Sequence, residues 1–249
     1  MRRHLVVYNA RSGSTIVSNH IAANVCTPPF EFYEYNLPST EIHDDEYMMY
    51  FKKLRHINVT NPEQEWCMKY HIMCGLRQNM KLTGKGNDPE RLYKFNFMEV
   101  HRFFQGLQVT DLHFSFRNDI LDTVCSFLIA QKSGNWVVAN REKASYEPFT
   151  ATKEHVNHLI KIFDLSYQAY TRTVEEMKSK YDCHFYPYET LHELIDIDND
   201  PRGLIKQLSK EEKINLITNY SEVEDRIKES ILCKRQYDSK TGVLVLDDN

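Results

Sequence analysis

The stretch that most constrains the fold is Leu5 to Ala23, where a strand, a small-residue turn and a helix follow one another without a gap. Leu5-Val6-Val7 is a short apolar, β-branched run of the kind that suits a buried parallel strand. Ile16, Val17 and Ile21 recur at helical spacing over 16–23. Between them lies Tyr8-Asn9-Ala10-Arg11-Ser12-Gly13-Ser14-Thr15. In such an arrangement the turn N–H groups and the positive end of the helix dipole face an anion together. Gly13 allows close backbone approach, Ser12, Ser14 and Thr15 offer hydroxyls, and Arg11 offers a fixed positive fork. The stretch is not a nucleotide-triphosphate loop: it has one glycine, and no lysine precedes its Ser or Thr. The three-glycine dinucleotide fingerprint is absent too. A plain turn is the competing reading, because Ser, Gly and Asn in a row often make only that.

The rest of the chain repeats the alternation. Strands are expected at 30–35, 66–73, 111–117 and 183–188, where Pro187 marks a strand end or an edge position. Helices are expected at 41–57, from Asp88-Pro89 to about 105, from Asn118 or Asp119 to Gly134, and over 152–180 with a Thr-x-x-Glu style start at Thr150. Shorter helical pieces are expected at 201–208 and 221–232. This pattern predicts an α/β fold, a central and mainly parallel sheet flanked by helices, with a helical C-terminal part. The 249 residues fit one domain, 1–249, with 236–249 as a mobile tail apart from Val243-Leu244-Val245-Leu246.

Composition narrows the function classes. A net charge of −4 excludes general nucleic-acid or membrane affinity, so any basic site must be local. No run approaches the roughly twenty apolar residues of a membrane span. Met1-Arg2-Arg3-His4 leads straight into the first strand and leaves no room for a signal peptide, so a cytoplasmic location is expected. The six cysteines are scattered without a Cys-x-x-Cys pair, which favours reduced thiols over disulfides or zinc. His155 and His158 lack a completing ligand set, and Asp196 to Asp200 lacks the Gly and Glu of a calcium loop, so no metal is expected.

Three further places carry chemistry. Lys69 and His71, two apart on a strand, point to one face, where the imidazole can take a hydroxyl proton and the ammonium can stabilise growing negative charge. A surface lysine and a hydrogen-bonded histidine are the plainer alternative. Arg117 at a strand end, with Ser126 on the following helix, suggests a second anion site of the same kind as the first. An Arg117 that merely pairs with Asp119 or Asp122 is the alternative. Tyr188 follows the last strand, where an aromatic ring can stack on a base or simply be buried.

Together these places resemble the sulfotransferases that use 3′-phosphoadenosine 5′-phosphosulfate (PAPS). Tyr8 to Thr15 resembles the family's 5′-phosphosulfate loop, and Phe116 to Trp136 its 3′-phosphate segment, with 126–136 similar to the bacterial trehalose-type branch. Lys69-Tyr70-His71 is similar to the Lys-x-His of cytosolic members, whose histidine is the catalytic base. Tyr188-Glu189-x-Leu191 resembles the Tyr-Glu-x-Leu whose tyrosine lies near the adenine. The motifs fall in family order over about 5–191. Arg11 stands where many members carry lysine, and Lys234-Arg235 is the nearest match to a terminal Arg-Lys-Gly. The interval from Arg117 to Ser126 is nine, one longer than usual, so either Cys125 or Ser126 takes the family's serine position; the residues that follow favour Ser126.

The resemblance implies a P-loop-like sulfotransferase fold and transfer from PAPS to the hydroxyl of a small-molecule or carbohydrate acceptor. Adenosine 3′,5′-bisphosphate would be the product, and no metal would take part. Arg11, Ser12, Gly13, Ser14 and Thr15 would hold the phosphosulfate, and Arg117 with Ser126 the 3′-phosphate. Tyr188 would lie by the base, while His71, Lys69 and Arg11 act in catalysis. The alternatives are an ATP-dependent phosphoryl-transfer enzyme, or a non-catalytic nucleotide-binding protein on the same fold.

Overall fold

The computed structural model describes residues 2–9, 12–24, 30–33, 55–72, 97–134, 146–194 and 208–246. β1 (Arg3–Tyr8) leads into α1 (Ser14–Asn24), followed by β2 (Phe30–Tyr33) and β3 (Glu65–His71). Then come α2 (Phe97–Gly106), β4 (Asp111–Phe116), α3 (Ile120–Ser133), α4 (Lys153–Met177) and β5 (Asp182–Pro187). A 3₁₀ turn (Tyr188–Thr190) and the short α5 (Leu191–Leu194) follow. The last elements are α6 (Lys210–Leu216), α7 (Tyr220–Lys228) and an antiparallel hairpin of β6 (Arg235–Tyr237) and β7 (Leu244–Leu246).

Among the described residues the sheet has five parallel strands, in the order β2-β3-β1-β4-β5. From β1 the chain moves toward the β2 edge, whereas from β4 it moves toward the β5 edge. Neighbouring strands whose connections leave in opposite directions open a crevice at their carboxyl ends, and open α/β sheets bind ligands there. The sheet is flanked by helices on both faces, because the strand period of two sorts its side chains. Leu5, Val7, Trp66, Met68, Tyr70, Leu112, Phe114 and Phe116 join the larger core with α2, α3, α4 and α7. Val6 and Cys67 point the other way and meet Val17 and Ile21 of α1.

Local signals account for most boundaries. Asp119 caps α3 by accepting from Asp122 N at 2.8 Å, and Gly134 ends it in a left-handed conformation, φ 74°. Thr152, not Thr150, caps α4, accepting from His155 N at 3.2 Å; Thr150 instead bonds the Thr218 hydroxyl at 2.7 Å. Most of the helices expected at 41–57, 88–105 and 201–208 lies outside the described residues. The expected tail is structured through 246: Tyr237 is buried in the larger core, and β6 pairs with β7. Asn58 is likewise buried, bonded to Trp66 Nε1 at 3.0 Å and to the Leu107 carbonyl at 2.7 Å. No helix of the described residues is long and apolar enough to cross a membrane.

On the α1 face, the amino half of the sheet carries imidazoles rather than hydrocarbon. His4 Nδ1 lies 2.9 Å from His113 Nε2, His113 stacks on His184 with ring centroids 4.7 Å apart, and His113 Nδ1 lies 3.3 Å from the Tyr186 hydroxyl. Burial holds His113 far below the usual imidazole range, at about 2, helped by the neighbouring His4, His184, His20 and Arg2. The same cause lowers His4, partly offset by Asp111. The folded protein therefore binds fewer protons at His113 than the unfolded chain between the folded value of about 2 and the unfolded value of about 6.5. Stability is intact above that value and is lost as pH falls, by about 1.4 kcal/mol per pH unit for His113. Urea midpoints at pH 7.5 and pH 5 are expected to show this loss, and His113→Gln is expected to flatten it; an equally steep slope in that variant would exclude His113 as its source.

Candidate anion-binding site

The carboxyl end of β1 builds the first part of the site. Asn9 is buried, accepting from the Ser166 hydroxyl of α4 at 2.6 Å and donating to the Tyr237 hydroxyl at 3.3 Å. Ala10 and Arg11 lie outside the described residues, so the expected Arg11 fork does not enter the geometry. The Ser12 carbonyl accepts from the Ser115 hydroxyl of β4 at 2.6 Å, which ties the turn to the neighbouring strand. Gly13 has φ 78°, and its carbonyl accepts from Ile16 N at 2.9 Å and Val17 N at 3.2 Å, which starts α1. Ser12 and Ser14 are buried, Gly13 and Thr15 partly exposed. No acidic residue stands in the first turn of α1, so nothing of the helix's own opposes an anion at its positive end.

β3 brings the second part. Lys69 and His71 share the α1 face, as the strand period requires. Lys69 is buried, and its Nζ donates to the Thr15 hydroxyl at 3.2 Å. His71 pairs in register with Tyr8 and meets its ring edge-on, with centroids 4.9 Å apart. The Lys-x-His pair thus stands beside the β1 turn rather than at a remote surface.

β4 brings the third part, with a correction. Asn118 N and Asp119 N, at the start of α3, both donate to Glu189 Oε1, at 2.8 and 2.9 Å. Those two N–H groups are taken, as is that of Asp122, so these three cannot form a second cradle of the β1 kind. What remains is side-chain chemistry. The Arg117 guanidinium lies 4.0 Å from the Tyr188 ring centroid, a cation–π contact, and pairs with Asp122. The alternative foreseen for Arg117, a pairing with Asp122, is therefore present. Lys213 of α6 reaches the other oxygen of the same carboxylate. Burial lowers the pKa of the Lys213 ammonium, and its bond to Asp122 works against that shift. One carboxylate thus meets two cations. Ser126 sits one turn beyond Asp122 on α3, whereas Cys125 belongs to the larger core with its thiol pushed up to about 12 by burial. Of the two, Ser126 is the polar position.

Tyr188 joins the parts. A Cβ at Gly13 would lie 2.8 Å from Tyr188 Cδ2 and 2.8 Å from Leu191 Cδ1. The Tyr188 ring therefore bridges the β1 turn and Arg117. No family model, curated protein or solved structure matches the chain. The site is read from its own geometry.

Glu189, Lys213 and Tyr237 are the participants whose roles sequence reasoning missed. Their contacts span 70, 91 and 119 residues. Asp122, one turn into a capped helix after Arg117, carried a local signal and was foreseen as its alternative partner. Gly13→Ala combines a left-handed backbone with a clash against Tyr188 and Leu191, and is expected to cost about 1–3 kcal/mol in chemical denaturation. In a Tyr188→Ala background the penalty is expected to shrink toward the backbone share alone; an unchanged penalty would rule out the close approach.

Proposed function

We propose that the protein is a PAPS-dependent sulfotransferase of sulfotransferase-like P-loop architecture, acting in the cytoplasm on a hydroxyl of a small-molecule or carbohydrate acceptor. The observation that carries this reading is the meeting of Lys69 with Thr15, 3.2 Å apart, two strand positions from His71 against Tyr8. A base and a cation are then within reach of an anion turn at a sheet crevice. The donor set supports the same class of ligand: hydroxyls, an acid-free helix start and an ammonium at β1, with two cations about one carboxylate at β4.

In this reading the acceptor oxygen forms a bond to sulfur as the bond from sulfur to the bridging phosphate oxygen breaks, in one in-line step. His71 takes the acceptor's proton. Thr15, Lys69, the turn N–H groups and Arg11 stabilise the charge that grows on the leaving phosphate. Arg117 with Ser126 holds the 3′-phosphate, and Tyr188 lies beside the adenine. No residue forms a covalent intermediate, and no metal is required.

Calorimetry is expected to show adenosine 3′,5′-bisphosphate binding more tightly than AMP, without magnesium. Equal affinities, or tight magnesium-dependent ATP binding, would overturn the two-phosphate assignment. Losing a general base costs on the order of 10²–10⁴ in rate, so His71→Ala is expected to nearly abolish turnover with labelled PAPS while bisphosphate affinity stays within a few-fold. Retention of more than about a tenth of turnover would remove His71 from the role of base. Arg11→Ala is expected to damage both binding and rate.

A further inference from the structure

The residues after α5 reach the site at two independent points. Tyr237 of β6 is wholly enclosed by protein, and one hydroxyl serves both halves of the site. It accepts from Asn9, next to the β1 turn, at 3.3 Å, and donates to the Tyr167 carbonyl at 3.3 Å. The Tyr167 hydroxyl in turn donates to the Arg117 carbonyl at 2.7 Å. The Tyr237 main chain exchanges two bonds with the Asn118 side chain, Tyr237 N to Oδ1 at 2.7 Å and Nδ2 to the Tyr237 carbonyl at 3.1 Å. Separately, Lys213 of α6 holds the Asp122 oxygen opposite the one that Arg117 engages. Neither residue belongs to the β1 turn or to the end of β4, yet each bears on where Arg117 stands.

We propose that Tyr237 and Lys213 are positioning residues that fix the spacing between the β1 turn and Arg117, so that the site selects a ligand with two anionic groups, a nucleoside 3′,5′-bisphosphate, over a nucleoside 5′-monophosphate. This rests on the reading of the site given above. The physical ground is that a second anchoring group adds affinity only when both halves are engaged at once, and that gain falls steeply when their separation is loosened. A ligand with one phosphate feels one half alone. Lys213 adds a second effect: without it, Asp122 loses one of its two cations and draws Arg117 more fully to itself, away from an incoming phosphate.

Calorimetry on the full chain with adenosine 3′,5′-bisphosphate and AMP separates the possibilities. In the wild type the bisphosphate is expected to bind more tightly. Tyr237→Phe, which removes one oxygen, is expected to lower that preference about tenfold, the scale of one buried hydrogen bond. Lys213→Met is expected to lower it at least as far, and Lys213→Arg to restore most of it. AMP affinity is expected to stay within about twofold in all three variants, since each half persists. If the wild type prefers the bisphosphate and the variants keep that preference, the positioning role is wrong and the two-phosphate site stands. If the variants lose AMP and bisphosphate affinity by equal factors, the role is general support of the fold, and the proposal is overturned. If the wild type shows no preference, the two-phosphate reading itself fails and takes the proposal with it.

Discussion

In-register pairing of β1 between β3 and β4 decides what meets at the carboxyl end of the sheet. Tyr8 lies opposite His71 on one side and Ser115 on the other, so these three fall in one row across three strands. Side chains alternate, so that row and the Val6-Lys69-His113 row two positions below it share the α1 face. Slipping β3 by one residue would send Lys69 and His71 into the larger core and bring Tyr70 to the turn. Trp66, Met68 and Tyr70, all buried on the opposite face, hold the register against that slip.

Among the described residues, the buried apolar cluster on the α1 face is Val6, Val17, Ile21, Cys67 and Leu191. The sheet positions around it are polar, with imidazoles at the amino end and Lys69, Ser115 and Arg117 toward the carboxyl end. Taking an unpaired ammonium or guanidinium out of water costs several kcal/mol, so such groups persist only where hydrogen bonds or opposite charge meet them. Thr15 serves Lys69, and Asp122 with the face of Tyr188 serves Arg117. Enclosure of this kind costs stability, whereas a ligand of opposite charge would recover part of that cost.

The sheet was legible because its signals are local. The β-branched run at 5–7, the period of two at 111–116, the aspartate cap of α3 and Gly134 behind it can each be read within a few residues. Lys69 and His71 were legible for the same reason, since two-residue spacing fixes a shared face. α6 was overlooked although Ser209 and Glu212 form a reciprocal capping box that the pattern Ser-x-x-Glu announces. What local pattern does not hold is partner choice across the fold. Nothing near Glu189 says that it will receive the N–H groups at 118 and 119, and nothing near Lys213 points to Asp122. Tyr237 sat in a stretch read as tail because its burial comes from packing on Tyr167 and Tyr170, far away in sequence.

The Glu189 contact has a mechanical side. Among the described residues β5 is the last strand of its sheet, with β4 as its one sheet neighbour, and strands so placed fray readily. At its carboxyl end the two N–H groups held by Glu189 act as a latch, and the residue beside that latch is the ring lying on Arg117 and Gly13. Fraying at this border of the sheet is therefore expected to disturb the ring as well, which makes amide exchange at the carboxyl end of β5 a readout of the crevice a strand away.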